Sequence, residues 1–256
     1  MALWVRYEQG SGTGFGTLSG DTISVYEGDL FNAPRPDGRT VALSQVKLLT
    51  PVQPTKIVGL WNNFRALAAK QGLSQPPEPL WFIKASTSFL EPGGTIRRPR
   101  SYGGKIAFEG ELGVVIGKTA RAVPEAEAPA SIFGYTCCND VTAVEILKKD
   151  STFDQWTRCK SFDTFGPFGP AVATGLDPAR LTIKTILNGE ERQNIPVSDM
   201  WFSPAKLVHL ISQDVTLLPG DIVSCGTSVG VGSMKPGSVV EVNIEGIGIL
   251  RNTLSG

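Results

Sequence analysis

The sequence lacks an apolar run of about 18 residues, and its first eight residues do not have the pattern of a signal peptide. Opposite charges balance, with 24 Lys+Arg against 24 Asp+Glu, which gives no electrostatic argument for binding nucleic acid or an anionic membrane. The four cysteines have no Cys-x-x-Cys spacing, so they suggest neither a zinc site nor a disulfide framework. We expect reduced thiols and a cytoplasmic protein.

Nucleotide-binding loops are also missing. The glycines of residues 10–16 do not have Gly-x-Gly-x-x-Gly spacing before a helix, and those of residues 226–232 are not followed by Gly-Lys-Ser/Thr. Abundant glycine (29) and proline (18) instead predict many turns and a β-rich body. We expect a small N-terminal β domain over residues 1–50, built as a meander, and a larger domain over residues 51–256.

Several local elements can be predicted from propensity and turn chemistry. We expect helices over Asn62–Gln71 and Pro124–Phe133, and a proline-started helix that contains His209. The Asn188-Gly189 pair predicts a hairpin with a type I′ turn.

The segment Lys105–Lys118 is apolar, β-branched and free of proline, which predicts a strand. Side chains alternate along a strand, so Glu109 and Glu111 would share one face, about 7 Å apart. Phe108, Gly110, Leu112, Val114 and Ile116 would then lie on the opposite, core face. Two partly buried carboxylates repel each other unless a proton, an arginine or a metal ion is present.

A third carboxylate, Asp140, ends the next β-rich run at residues 134–142. If it converges with Glu109 and Glu111, the three form a hard-oxygen site for Mg²⁺ or Mn²⁺. A solvated sheet face is the alternative that the spacing alone leaves open.

These runs resemble the fumarylacetoacetate hydrolase family. The resemblance covers about residues 55–253 and includes ordered motifs at residues 108–118, 134–143, 155–167, 187–190, 219–223, 225–232 and 244–248. It implies a mixed β-sandwich roll with a few helices, and a homodimer. It further implies that Glu109, Glu111 and Asp140 hold the divalent metal.

The resemblance also indicates candidate catalytic and substrate-binding residues. Lys160 matches the lysine of the family's Lys-Ser-Phe-Asp motif, and Lys84 corresponds to a lysine near the active site. The alternative for both is a solvated surface lysine. In the family, the loop that begins at Gly226 and Thr227 binds a substrate carboxylate through backbone amides and the hydroxyl group.

The family's histidine–glutamate pair, which activates water, has no counterpart here. Leu67 and Lys70 stand at the two positions, and Arg65 is the candidate catalytic side chain in this helix. After Asp140, Val144 and Leu147 replace an arginine and a glutamine of the family pattern. The only histidine, His209, is expected to be a packed or surface residue.

From these features we expect a metal-dependent hydrolase that cleaves a carbon–carbon bond in a 1,3-diketo acid such as an acylpyruvate. A different base, such as Glu78 or Glu91, would then have to lie over the metal. Decarboxylation or isomerisation of a related 2-oxo diacid is the first alternative. A non-catalytic relative that binds a small diacid is the second, although three buried carboxylates without a function would be costly.

Overall fold

Twenty strands and four short α-helices make up the computed structural model, which describes residues 1–256. The first ten strands are β1 (Ala2–Gln9), β2 (Gly12–Ser19), β3 (Thr22–Asp29), β4 (Asn32–Ala42), β5 (Lys47–Leu48), β6 (Ile57–Trp61), β7 (Leu80–Lys84), β8 (Phe89–Leu90), β9 (Thr95–Ile96) and β10 (Ile106–Phe108). The others are β11 (Gly110–Ile116), β12 (Ile132–Asn139), β13 (Thr142–Ala143), β14 (Gly166–Thr174), β15 (Thr182–Leu187), β16 (Glu190–Pro196), β17 (Ile222–Ser224), β18 (Gly232–Met234), β19 (Val239–Ile244) and β20 (Gly248–Leu254). The helices are α1 (Arg65–Gln71), α2 (Val144–Leu147), α3 (Trp156–Lys160) and α4 (Pro204–Asp214).

The strands form three sheets. The largest runs in the order β4-β3-β2-β1-β14-β12-β11-β17-β6-β7, with β5 on β1 and β8 on β14. A three-stranded sheet has the order β13-β10-β18, and a five-stranded sheet has the order β16-β15-β19-β20-β9. Most neighbours are antiparallel, but the pairs β17–β6, β14–β8 and β20–β9 run parallel. The expected mixed β architecture with a few helices is confirmed.

The N-terminal segment forms the expected antiparallel meander, β1 to β4. Its first strand also pairs with β14. In this pair Ala2, Leu3 and Trp4 lie opposite Thr174, Ala173 and Val172. The meander therefore extends the largest sheet. The division of the chain at residue 50 into two domains remains a prediction.

The main core lies between the largest sheet and the five-stranded sheet. Leu112, Val114 and Ile116 of β11 pack there with Ile183 of β15 and with apolar residues of α4. These three residues occupy one face of β11, as alternation predicted. The opposite face of the same sheet carries a separate cluster around Val115 of β11. Both faces of the central strand are therefore covered, and every residue of β11 is buried.

Two secondary-structure predictions are wrong. The strand over Lys105–Lys118 is interrupted at Glu109, because β10 pairs in the three-stranded sheet and β11 in the largest one. The helix over Pro124–Phe133 is reduced to a 3₁₀ turn, Ala128–Ser131, and β12 begins at Ile132. Pro129 has no N–H to donate within a helix, which limits the helical segment.

Other local predictions are confirmed. The helix predicted over Asn62–Gln71 begins at Arg65, and it ends where Gly72 takes a left-handed conformation. The Asn188-Gly189 turn has φ of 52° and 85°, both positive as a type I′ turn requires. None of the helices has the length and apolar character needed to cross a membrane.

The parallel strands β6 and β17 are held in register by Asp221, which is fully buried. Its carboxylate accepts hydrogen bonds from Thr55 N (2.9 Å), Thr55 Oγ1 (2.7 Å), Lys56 N (3.2 Å) and Leu218 N (2.9 Å). The Lys56 ammonium group lies 2.5 Å away. One side chain thus joins the segment before β6 to the turn before β17.

We expect Asp221→Ala to lower the free energy of unfolding by about 3–5 kcal/mol, because Lys56 and the backbone N–H groups lose their buried acceptor. Urea unfolding measures the change. Asp214→Ala, at the exposed end of α4, is the matched control and should stay within about 0.5 kcal/mol of the wild type. Equal stabilities for the two variants would contradict this role of Asp221.

Candidate active site

The three predicted metal ligands meet where the chain passes from one sheet to another. Glu109 lies in the gap between β10 and β11. Its N–H donates to Asn139 Oδ1 (3.0 Å), and its carbonyl oxygen accepts from Asp140 N–H (2.9 Å). Because Asn139 ends β12, which pairs with β11, these bonds bring Asp140 beside Glu109 and Glu111. One carboxylate oxygen from each residue lies within 4.8 Å of the other two.

Two buried lysines complete the cluster. Lys160 Nζ, at the end of α3, lies 2.8 Å from Glu109 Oε1 and 2.6 Å from Asp140 Oδ2. Lys84 Nζ, at the end of β7, lies 2.5 Å from Asp140 Oδ1 and also donates to the carbonyl oxygen of Lys160. The alternative of solvated surface lysines is therefore wrong for both, since each is at most 3% exposed.

Burial and charge shift the pKa values of these groups in different directions. Burial, together with the charges of Asp140 and Glu109, raises the pKa of Glu111 well above its usual range. Burial also acts to raise the pKa of Asp140, but the Lys160 and Lys84 ammonium groups outweigh it and lower this pKa. Glu111 is thus the carboxylate of the cluster whose charged form the two lysines stabilise least.

The lysines differ in the same way. Burial acts to lower the pKa of Lys160, but the carboxylates of Asp140 and Glu109 outweigh it, and the pKa is raised. For Lys84 burial dominates and the pKa is lowered, although Asp140 opposes the shift. Lys160 is therefore the more firmly protonated of the two ammonium groups.

The donor set fits a divalent cation. Glu111 Oε2 accepts hydrogen bonds from Ser224 Oγ (2.6 Å) and from Gly226 N–H (3.0 Å), while its Oε1 is buried and has no hydrogen-bond partner. A buried carboxylate oxygen without a donor is costly, and a cation held by three carboxylates removes that cost. Oxygen ligands of this kind suit Mg²⁺ and Mn²⁺. Glu109 is the most exposed of the three, with 17% of its side chain accessible, so the cluster is open to solvent on this side.

The glycine-rich loop after β17 contacts the cluster directly. Besides the bond from Gly226 to Glu111, Thr227 Oγ1 donates to the carbonyl oxygen of Gly110 at 3.0 Å. It accepts from Gln193 Nε2 at 2.9 Å. The hydroxyl hydrogen of Thr227 is therefore directed to the backbone in this structure. The predicted contact between that hydroxyl and a substrate carboxylate remains a prediction, and it requires the hydroxyl to rotate.

The structure does not bring Arg65 to the carboxylates. Its Nη1 donates to the carbonyl oxygen of Ser198 at 3.1 Å, and its guanidinium group lies 4.8 Å from the ring centroid of Trp201. It forms no ion pair with Glu109, Glu111 or Asp140. Its assignment as a catalytic residue remains a prediction without support from these contacts.

The candidate bases also lie elsewhere. His209 Nδ1 is 2.8 Å from the carbonyl oxygen of Val123, so the histidine is packed against a loop as expected. Glu91 pairs with Lys47 at 2.8 Å, and Glu78 is exposed. Neither glutamate belongs to the carboxylate cluster, so the expectation that one of them lies over the metal is not met.

A cavity of about 750 Å³ lies along β7 and α3 and is lined by aromatic side chains. Phe82 borders it and also faces Lys160 Nζ, 5.4 Å from the ring centroid. Trp156 stacks on Phe82 with 5.7 Å between centroids, and Phe153, 69% exposed, stands at the rim. None of the three carboxylates lines this cavity. It therefore adjoins the lysine side of the cluster.

Sequence reasoning missed four residues that hold the ligands in place. Ser224 binds Glu111, Thr142 Oγ1 donates to Glu109 Oε1 at 2.7 Å, Asn139 fixes the Glu109 backbone, and Gln193 contacts Gly110. Asn139 and Thr142 flank Asp140 in sequence, which was a usable signal. Ser224 and Gln193 lie more than 80 residues from their partners, and nothing local indicates them.

Comparison with known proteins agrees with this geometry. Residues 56–255 match the family model "Fumarylacetoacetate (FAA) hydrolase C-terminal", and residues 3–51 match the model "Rv2993c-like, N-terminal". The crystal structure of 2-hydroxyhepta-2,4-diene-1,7-dioate isomerase from Mycobacterium marinum superposes with a TM-score of 0.91 at 35% identity. The superposition covers 100% of this chain and 98% of the isomerase chain, which confirms the expected fold.

Two named relatives are similar in sequence. Oxaloacetate tautomerase YisK of Bacillus subtilis is 34% identical over 227 residues, covering 83% of this chain and 74% of the relative. The 4-hydroxyphenylacetate degradation bifunctional isomerase/decarboxylase of Salmonella dublin is 39% identical over 201 residues, or 77% of this chain and 46% of the relative. By its family match and these relatives, the chain belongs to the fumarylacetoacetate hydrolase family.

Proposed function

We propose that the protein is a divalent-metal-dependent enzyme that moves a proton or releases CO₂ in a small 2-oxo diacid, as a tautomerase, isomerase or decarboxylase. The observation that carries the proposal is the composition of the cluster: three carboxylates and two buried ammonium groups, with no imidazole. Such a set can bind a cation and a dianionic enolate, but it offers no evident base for activating water. The similar isomerase and tautomerase support this choice.

Glu109, Glu111 and Asp140 would hold Mg²⁺ or Mn²⁺. When bound, the cation would supply positive charge to the adjacent oxygens of a 2-oxo acid and so favour its enolate form. The residues of the chain have separate tasks around it. Lys84 and Lys160 orient Asp140 through one oxygen each, and Ser224 and Gly226 orient Glu111.

Lys160 is the residue that we assign to the reacting oxygen. Its ammonium group already contacts Glu109, the ligand on the accessible side, and its pKa is raised, so it carries a proton. In this position Nζ can donate a hydrogen bond to the enolate oxygen as negative charge develops there. When CO₂ leaves the neighbouring carbon, the electron pair of the broken bond forms an enolate; when a proton leaves that carbon, it passes to water on the accessible Glu109 side and an enolate of the intact diacid remains. The two intermediates are of the same type, which explains why one site would suit either outcome.

Hydrolysis of a carbon–carbon bond in a 1,3-diketo acid is the second candidate, supported by the family model that spans residues 56–255. It requires a base that delivers water, and neither His209 nor Glu91 stands near the carboxylates. Decarboxylation needs no base and proton transfer needs only a proton acceptor, whereas hydrolysis must also activate water as a nucleophile. For that reason we place proton transfer and decarboxylation ahead of the hydrolysis that the sequence alone favoured.

A substrate panel with Mn²⁺ or Mg²⁺ tests the proposal. We expect the enol form of oxaloacetate to be consumed, or CO₂ to be released, faster than acylpyruvates are cleaved. Glu109→Ala should lose at least about 100-fold in rate, because a direct metal ligand is removed. Arg251→Ala, which removes only a surface ion pair, is the control with unchanged rate. Faster acylpyruvate cleavage would favour hydrolysis, and no turnover of either class would exclude both candidates.

A further inference from the structure

The side chain of Gln193 reaches the carboxylate cluster from another sheet. It projects from β16 at the edge of the five-stranded sheet and is 2% exposed. Its Oε1 accepts from Gly110 N–H at 3.0 Å, and Gly110 is the residue between Glu109 and Glu111. One amide oxygen therefore holds the peptide that joins two proposed metal ligands.

The other end of the same amide holds the glycine-rich loop. Gln193 Nε2 donates to Thr227 Oγ1 (2.9 Å) and to the carbonyl oxygen of Ser228 (3.2 Å). The amide orientation is fixed, because a flipped NH₂ group would face the N–H of Gly110. It also sets the direction of the Thr227 hydroxyl, whose oxygen accepts from Gln193 and whose hydrogen is given to Gly110 O.

Close contacts at two glycines leave little room for this arrangement to change. A Cβ atom added at Gly110 would lie 2.0 Å from Thr185 Oγ1 of β15, and one added at Gly230 would lie 2.0 Å from the carbonyl oxygen of Arg192. The β15–β16 hairpin thus abuts both the ligand segment and the loop. Gln193 lies between these two contacts and links them by hydrogen bonds.

We propose that Gln193 is a positioning residue of the active site, which fixes the separation between the Glu109–Glu111 segment and the loop at Gly226–Gly230. This role rests on the proposed metal-dependent function. Gly226 N–H, on the same loop, binds Glu111 Oε2, so displacement of the loop also displaces a ligand. Loss of the amide should therefore weaken both metal binding and the contact between the loop and substrate.

Two variants distinguish the roles of the oxygen end and the nitrogen end of the Gln193 amide. Gln193→Met has a similar length but neither donor nor acceptor, and we expect its Mn²⁺ affinity to fall at least about 10-fold, as for other residues that orient metal ligands. Gln193→Glu keeps an acceptor for Gly110 N–H and loses the donor to Thr227 and Ser228. It should raise the KM more than it lowers kcat.

Calorimetry with Mn²⁺ alone, steady-state kinetics and thermal unfolding provide the readouts. Ile195→Ala is the matched control: Ile195 lies two residues further along β16, is buried and packs only in the apolar core. It should lower the Tm while its Mn²⁺ affinity stays near that of the wild type. Equal Mn²⁺ affinities for wild type and Gln193→Met, with KM unchanged in Gln193→Glu, would overturn the role of Gln193 alone. A wild-type protein that bound no Mn²⁺ would overturn the proposed function and this role with it.

Discussion

Glu111→Gln should lower the affinity for Mg²⁺ and Mn²⁺ at least about 100-fold, because a direct ligand contributes more than the 10- to 100-fold typical of residues that only orient ligands. The substitution keeps the size of the side chain. An amide oxygen can still accept from Ser224 and Gly226, which now bind Glu111 Oε2. The variant thus changes the charge at Oε1 and leaves the surrounding hydrogen bonds in place.

The metal-free variant should melt no lower than the metal-free wild type. Glu111 is fully buried beside Asp140 and Glu109, and its pKa is raised because burial and both neighbours disfavour its charge. Removing that charge relieves repulsion within the cluster. Glu241→Gln, which removes a carboxylate of the surface pair with Arg251 2.8 Å away, is the control and should bind metal like the wild type.

Calorimetry and thermal unfolding, each with and without Mn²⁺, check both expectations. The wild type should gain Tm when Mn²⁺ is added, and Glu111→Gln should not, since only binding to the folded state shifts its stability. A variant that melts far below the wild type without metal would show instead that Glu111 has a structural role. Unchanged Mn²⁺ affinity would exclude Glu111 as a ligand.

The sequence was most informative where the site depends on local geometry. Alternation along a strand placed Leu112 and Val114 in the core, and the resemblance to a family selected Glu109, Glu111 and Asp140. The strand does not continue through Glu109, however. The interruption depends on Asn139, which takes the N–H of Glu109, and on the separate pairing of β10 and β11. The interruption at Glu109 depends on the strands that β10 and β11 pair with, so the residues 105–118 alone do not indicate it.

Predictions were weakest where contacts join distant segments. Lys84 and Lys160 each had a solvated alternative, and only the packing of β7 against α3 shows that both ammonium groups reach Asp140. The resemblance makes Arg65 a candidate because its helix holds catalytic residues in the family. In the structure its guanidinium group instead meets Ser198 and Trp201. Position in a matching helix indicates which element to inspect, but the side-chain direction depends on the tertiary structure.

Lys160→Met separates metal binding from catalysis. We expect its kcat to fall about 100- to 1,000-fold. Methionine preserves much of the stem that packs near Phe82 and removes only the ammonium group. The loss should appear in kcat because the hydrogen bond strengthens as charge develops on the enolate oxygen. Lys148→Met is the control, since Lys148 is 73% exposed and pairs only with Asp154.

Metal affinity should change in the opposite direction to that in Glu111→Gln. Lys160 Nζ occupies one oxygen each of Glu109 and Asp140, so its removal frees two ligand atoms and lowers the positive charge that a cation would meet. We therefore expect Lys160→Met to bind Mn²⁺ at least as tightly as the wild type while it turns over substrate far more slowly.

Calorimetry and steady-state kinetics on the metal-loaded variant measure the two effects. A kcat within about 3-fold of the wild type would exclude Lys160 as the donor to the reacting oxygen, because a lost charge-assisted bond costs more than that. A parallel loss of Mn²⁺ binding would instead indicate that Lys160 maintains the shape of the carboxylate cluster.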